Sequence, residues 1–349
     1  MAEVLGLTVS DFPYLRMKPQ YMANVVLGNM GRGWADKPHL RDPKNWPQPM
    51  QVDWGRDQGL AAAKQAQDHQ HQQFRKLREA LDAFSPDFML FLYRDRGETF
   101  RNFALPRYWI QAHDKVEAKL FQIHGIRENY FEEDPDRVDT LWGHREAALY
   151  LTRQLQDAGF NPLHTLESMH PNGLGHNALA TTVHLDWDKC EFKTPILPLA
   201  IDPFGFLRTR GNEGLSVWDP TAPRPLTPAE AFDLGRTIGK LLRSSPWRVA
   251  MVAGVDWSHA NDTCAEKGRI HPDIDADQKR FEEWKNNDFA KWGEGWTFEE
   301  MEEHAQWELL VTIVLAGAMT ELGAKVRYSD FHPTWLFNDD FVTTIFEVR

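Results

Sequence analysis

The sequence predicts a single α/β domain, and three features predict it. Short apolar runs of strand length recur along the chain, each closed by turn-forming residues. Between them lie longer stretches whose apolar residues fall three and four apart, the helical period. The chain has 349 residues, of which 42% are hydrophobic, and no linker interrupts it, so residues 1–349 read as one domain.

Residues 4–9 (VLGLTV) form a first buried strand, stopped by Ser10, Asp11, Phe12 and Pro13. Residues 16–57 are irregular and rich in Pro, Trp and Gly. The glycines at 28, 31 and 33 join no clear strand to a helix, so they are not a phosphate loop. Residues 59–83 predict a long helix, and residues 88–93 (FMLFLY) a second buried strand. That strand ends in the charged turn Arg94, Asp95, Arg96, Gly97, Glu98.

A helix follows over residues 137–158, with Gly159 as its C-cap. Residues 194–201 and 247–255 read as further strands. Between them, residues 227–244 form a helix opened by Thr227 and Pro228, with Glu230 placed for a capping box. Residues 306–322 make an apolar helix ending at Gly323, and residues 326–328 and 342–346 are late strands. No internal repeat is evident.

Charge and composition exclude several function classes. Asp and Glu total 51 against 39 Lys and Arg, a net charge of -12 with no basic cluster, which argues against nucleic-acid binding. No apolar run reaches the length of a membrane span, and residues 1–10 lack a signal-peptide pattern, so a cytoplasmic protein is expected. Cys190 and Cys264 are too few for a disulfide framework or a thiolate metal site. The 14 tryptophans and 21 phenylalanines favour an aromatic core and a subunit interface over an aromatic ligand pocket, hence an oligomer.

Ligand sites in open α/β sheets lie beyond the carboxyl ends of strands. Polar residues at such exits are Asp11, then Asp95, Arg96 and Glu98, then Asp202, and then Asp256, Trp257, Ser258 and His259. His170 and His176 bracket a Gly-rich loop before an apparent strand. An acid at a strand end is more often a turn former than a ligand. Lone histidines such as His184 and His332 are more often packing residues, and His69 and His71 lie in a Gln-rich helical stretch that reads as solvated. Spacing alone therefore gives a pocket but no metal or catalytic assignment.

The order of segments is more specific. It runs through the Asp11, Phe12, Pro13 exit and residues 87–103. It continues with Gly173, Leu174, Gly175, His176 and residues 185–188, then residues 232–235, 245–250 and 257–260, and finally 315–323 and 330–338. In this order the chain resembles the class III extradiol ring-opening dioxygenases, the superfamily of the protocatechuate 4,5-dioxygenase beta subunit. Within it, the longer single-chain branch near the 3-O-methylgallate dioxygenases is most similar.

The resemblance implies a central mixed sheet flanked by helices and an Fe(II) centre. Two imidazoles and a carboxylate hold that iron, with open positions for a catecholic substrate and O₂. It also implies an acid/base histidine, matched here by His176, and a second pocket histidine, matched by His259, with Trp257 beside it at the substrate. The ligand positions differ. Asp11 stands where a ligand histidine is expected, Arg96 stands at the second ligand place, and Asp275 aligns with the glutamate ligand. A guanidinium has no lone pair to coordinate a metal. One reading makes Arg96 the central cation, bridging Asp11 and Asp275. The other turns Arg96 to solvent and leaves Asp11, Glu98 and Asp275 as an all-carboxylate site, better suited to Mg²⁺ or Mn²⁺ than to O₂-activating iron.

The functional expectation is a family member in aromatic-compound catabolism that is metal-poor or non-catalytic, paired with an active paralogous subunit as a homo- or hetero-oligomer. Two alternatives stand beside it. One is an active enzyme on a phenol or aromatic acid, either Fe(II)-dependent or metal-free through His176 and His259. The other is an aromatic-ligand-binding protein without turnover.

Overall fold

In the computed structural model, described for residues 3–30, 38–95, 97–100, 104–123, 128–189, 193–205, 208–210, 216–218, 221, 223–260 and 270–348, the chain forms a mixed α/β layer structure. The first half contains β1 (Val4–Val9), α1 (Pro19–Ala23), α2 (Val25–Met30), α3 (Gln48–Trp54), α4 (Leu60–Phe84) and β2 (Phe88–Arg94). Then come β3 (Tyr108–Gln111), β4 (Lys115–Ala118), β5 (Asp139–Trp142), α5 (Arg145–Asp157), β6 (Leu163–Thr165) and α6 (His176–Leu185). After these lie β7 (Ile196–Ile201), β8 (Arg208–Arg210), β9 (Ser216–Trp218), α7 (Pro228–Arg243) and β10 (Val249–Gly254). The chain ends with α8 (Ile274–Lys285), α9 (Phe298–Glu303), α10 (Leu309–Leu322), β11 (Lys325–His332) and β12 (Phe341–Glu347).

The main sheet has the order β11-β12-β1-β10-β2-β7-β3-β6. Its centre, β1-β10-β2-β7, is parallel, whereas β12 runs antiparallel to β1 and β3 antiparallel to β7. Both faces of the centre are covered, so its strands are apolar throughout rather than alternating. Alternation instead divides each strand between two cores. In β2, Phe88, Leu90 and Leu92 face one core with residues of α5, α7 and α10. Met89, Phe91 and Tyr93 face the other with residues of α4 and α6.

Several elements follow the sequence reading, among them β1, α4, β2, β7, β10 and the capped helix α7. Thr227 Oγ1 accepts from the Glu230 N–H while the Glu230 carboxylate accepts from the Thr227 N–H, the capping box the sequence predicts. Others differ. Residues 16–57 contain α1, α2 and α3 rather than only irregular chain. The helix expected over 137–158 starts only at Arg145, because His144 caps it and residues 139–142 pair with β4. The strand expected after His176 is the helix α6. Its Thr181, Thr182 and Val183 favour strands locally, but Asn177 to Leu185 is buried all round, so no amphipathic period marks it as a helix.

Candidate functional site

The carboxyl ends of the four central parallel strands lie side by side and bring together Ser10 and Asp11, Asp256, Arg94 and Asp95, and Asp202. Their shared polarity follows from topology, since each strand leaves the sheet at the same end. Asp11, Arg94 and Asp256 are all buried.

Arg94 is the centre of this group. Its Nε donates to Asp11 Oδ2 at 3.3 Å, and its Nη1 is ion-paired with the buried Glu308. Glu308 is the N-cap residue of α10, and Asp11 also accepts from Asn177 Nδ2 at the start of α6. Ser10 Oγ donates to Asp256 Oδ2 at 2.9 Å. Burial, then the neighbouring Asp11 and Asp339, push Asp256 well above the usual carboxylate range.

A second group forms around His176. Asp95 accepts from the Glu98 N–H at 2.7 Å and the Thr99 N–H at 3.2 Å, which folds the turn after β2 and presents Glu98. Glu98 is ion-paired with His176 Nδ1, accepts from the His176 backbone N–H at 3.1 Å, and lies 3.6 Å from His170 Nε2. Burial raises the Glu98 pKa, but the charge of His176 and the hydrogen bonds from His170 and His176 outweigh it. The carboxyl is held well below its usual value. Glu98 therefore serves His176, and a role in metal ligation would compete with those bonds.

His259 is buried and forms an isolated backbone bridge with Asp339; its N–H donates to Ala305 O at 2.9 Å, and its Nε2 lies 3.7 Å from Asp339 Oδ1. Asp339 in turn acts electrostatically on Asp256, so His259 joins the same polar network as Asp11 and Arg94.

Other expected residues lie elsewhere. Trp257, expected at the substrate, is fully buried and packs against Trp284, Trp292, Phe281 and Phe331 in the aromatic core. Asp275 is exposed in the first turn of α8, while Asp277, two residues on, is fully buried. Asp277 is consumed by the protein, accepting from the Ser258 N–H at 2.8 Å and Gln306 Nε2 at 2.6 Å. Arg96, expected to be the bridging cation, lies outside the described residues. Two residues earlier, Arg94 pairs with Asp11 and with Glu308.

The sequence reading missed Arg94 as a site residue, and it missed Glu308 and Asn177. Glu308 had a signal: it is the one charged residue in the mostly apolar run 305–320. The Fe(II) centre implied by the resemblance does not fit these residues. A permanent cation already engages Asp11 and Glu308, and a dication beside it would be repelled. Among the described residues, no group of three His, Cys, Asp or Glu is placed to hold a metal. No helix is long and apolar enough to cross a membrane among the described residues. Comparison of the chain with protein-family models and with curated proteins gave no match.

Proposed function

We propose that this chain is a relative of the class III extradiol dioxygenases that acts in aromatic-compound catabolism without an iron centre, as the non-catalytic partner of an active paralogous subunit. The observation that carries this reading is the buried Asp11–Arg94–Glu308 ion pair at the strand exits. A guanidinium there neutralises the carboxylates that a metal would need, through a hydrogen bond to Asp11 and an ion pair with Glu308. The test is elemental mass spectrometry on protein purified anaerobically and exposed to Fe(II). Iron near zero is expected, together with no ring opening of catechols or gallates by the chain alone and faster turnover when it is added to an active extradiol dioxygenase chain. About one iron per chain would overturn the reading.

A second reading, metal-free acid/base catalysis on a phenol or aromatic acid, is favoured by the Glu98–His176 pair. Glu98 pairs with Nδ1 and so fixes the orientation of a ring whose pKa range suits proton exchange with a phenol. Under this reading His176→Ala abolishes turnover and Glu98→Gln lowers kcat more than it raises KM. Turnover unchanged by His176→Ala would remove this chemistry from consideration.

A further inference from the structure

Arg16 is a buried cation with no acid paired to it among the described residues. It ends the 3-10 turn Pro13–Arg16, five residues after Asp11, and is wholly inaccessible to solvent. Its Nε donates to Pro13 O at 3.3 Å and its Nη1 to the Leu120 carbonyl, while Nη2 has no hydrogen-bond partner among the described residues. Burial alone acts on its pKa, pulling it down to about 9, with no carboxylate to offset the effect. An isolated charge in the interior is costly, and the fold must compensate it.

The surroundings of Arg16 are also unsatisfied. Gln67 Nε2 donates to Leu15 O at 3.0 Å and to Met17 O at 2.8 Å, which sets α4 directly against the Arg16 turn. On the same stripe of α4, three, four and seven residues on, follow Gln70, His71 and Phe74. Both amide atoms of Gln70 and Nε2 of His71 are buried without a partner among the described residues. Phe74 stacks on His184 of α6, with ring centroids 4.5 Å apart. His184 Nδ1 donates to Ser10 O at 2.7 Å, leaving Nε2 buried without a partner among the described residues, and both Arg16 and His71 act on this ring electrostatically.

Counting donors and acceptors decides what this place can hold. Arg16 Nη2 and the Gln70 amide nitrogen each carry two N–H donors. The unpartnered acceptors on the neighbouring elements are the Gln70 carbonyl oxygen, the His184 Nε2 lone pair and, in its Nδ1–H tautomer, His71 Nε2, and none of them carries negative charge. Burial holds His71 and His184 neutral, at about 4 and about 3, so neither adds charge. Water would supply hydrogen bonds but leave the guanidinium charge uncompensated. A solvent-excluded place with one net positive charge and no paired carboxylate among the described residues fits a small anion.

We propose that a small inorganic anion, chloride in size and charge, binds against Arg16 between the Pro13–Arg16 turn, α4 and α6. It is held by Arg16 Nη2 and the Gln70 amide, and a bridging water serves His184 Nε2. The site lies behind the strand exit that carries Asp11 and does not depend on the family reading. Its test is bromide. Crystals of the full chain grown in bromide and measured at the bromine edge should show an anomalous peak within hydrogen-bond reach of Arg16. In solution, replacing gluconate by chloride at fixed ionic strength should raise Tm by about 2–4 °C. Arg16→Met and Gln70→Leu should each remove that chloride dependence. Water density at Arg16 with no anomalous signal overturns the proposal, as does a Tm indifferent to chloride. If Arg16→Met does not fold, the bromide map and the Gln70→Leu variant decide.

Discussion

At the scale of single residues, Arg94 shows how a site can keep its carboxylates and change its chemistry. Two buried acids, Asp11 and Glu308, face one guanidinium, and removing one partner of such a group leaves charge without compensation. Arg94→Met should therefore cost about 3–5 kcal/mol of stability, measured by urea unfolding at neutral pH. Arg94→Lys should fall between the two, because an ammonium keeps the charge and loses the fork. A loss under about 1 kcal/mol for Arg94→Met would mean the pair is not a structural centre. The same residue shows why the site was only partly legible. The expected strand stops at residue 93 and leaves Arg94 in the turn, whereas β2 runs on through Arg94, so alternation along the strand fixes its face. Arg94 continues the even-numbered face of β2, the face covered by α10, which brings Glu308. A helix behaves differently. A two-residue slip in α8 turns the side chain by roughly 200°, onto the opposite face, and this separates exposed Asp275 from buried Asp277.

At the scale of elements, Glu308 reaches Arg94 because α10 is pressed against α7 through glycines. A Cβ on Gly235 would lie 2.0 Å from the Val314 carbonyl oxygen, and one on Gly317 would lie 2.1 Å from the Phe232 carbonyl oxygen. Neither backbone oxygen can move aside without moving its helix. Gly317→Ala should accordingly destabilise the chain by about 1–3 kcal/mol through overpacking, despite the higher helix propensity of alanine. Denaturant unfolding checks the magnitude, and a neutral or stabilising result would show that the helices can separate freely. The sequence marked the ends of these helices, through the Thr227 capping box and Gly323 at φ +67°, but not their spacing. End signals are local chemistry, whereas the close approach depends on which glycine meets which carbonyl across the fold. Helix α6 failed for the complementary reason. Buried on all sides, it has no polar face to declare its period, although it carries both His176 and Asn177 into the site.

At the scale of the whole molecule, parallel topology concentrates acids at one end of the sheet, and this should appear in the dependence of stability on pH. Asp202 leaves β7 at that end. It is buried and accepts from the Phe204 N–H at 3.0 Å, but burial dominates and pushes its pKa up to about 6. A carboxyl raised in the folded state binds more protons there than in the unfolded chain. Stability from this group is therefore highest below its unfolded pKa, near 3.8, and declines as pH rises through about 6. At about 1.4 kcal/mol per pKa unit, the loss approaches 3 kcal/mol. Buried histidines pull the other way: burial lowers His71 to about 4 and His184 to about 3, so their contribution is lost as pH falls below 6.5. These opposed slopes flatten the wild-type profile, so the wild type alone reveals little. Asp202→Asn isolates the acid. The stability of wild type minus that of the variant should fall by about 2–3 kcal/mol between pH 4 and pH 7, then level off. A difference independent of pH would mean that Asp202 ionises normally, with water reaching the strand exits and screening the acids gathered there. In that case the Asp11–Arg94–Glu308 pair would also sit in a more polar setting than its burial implies, and its expected contribution would shrink toward that of a surface ion pair.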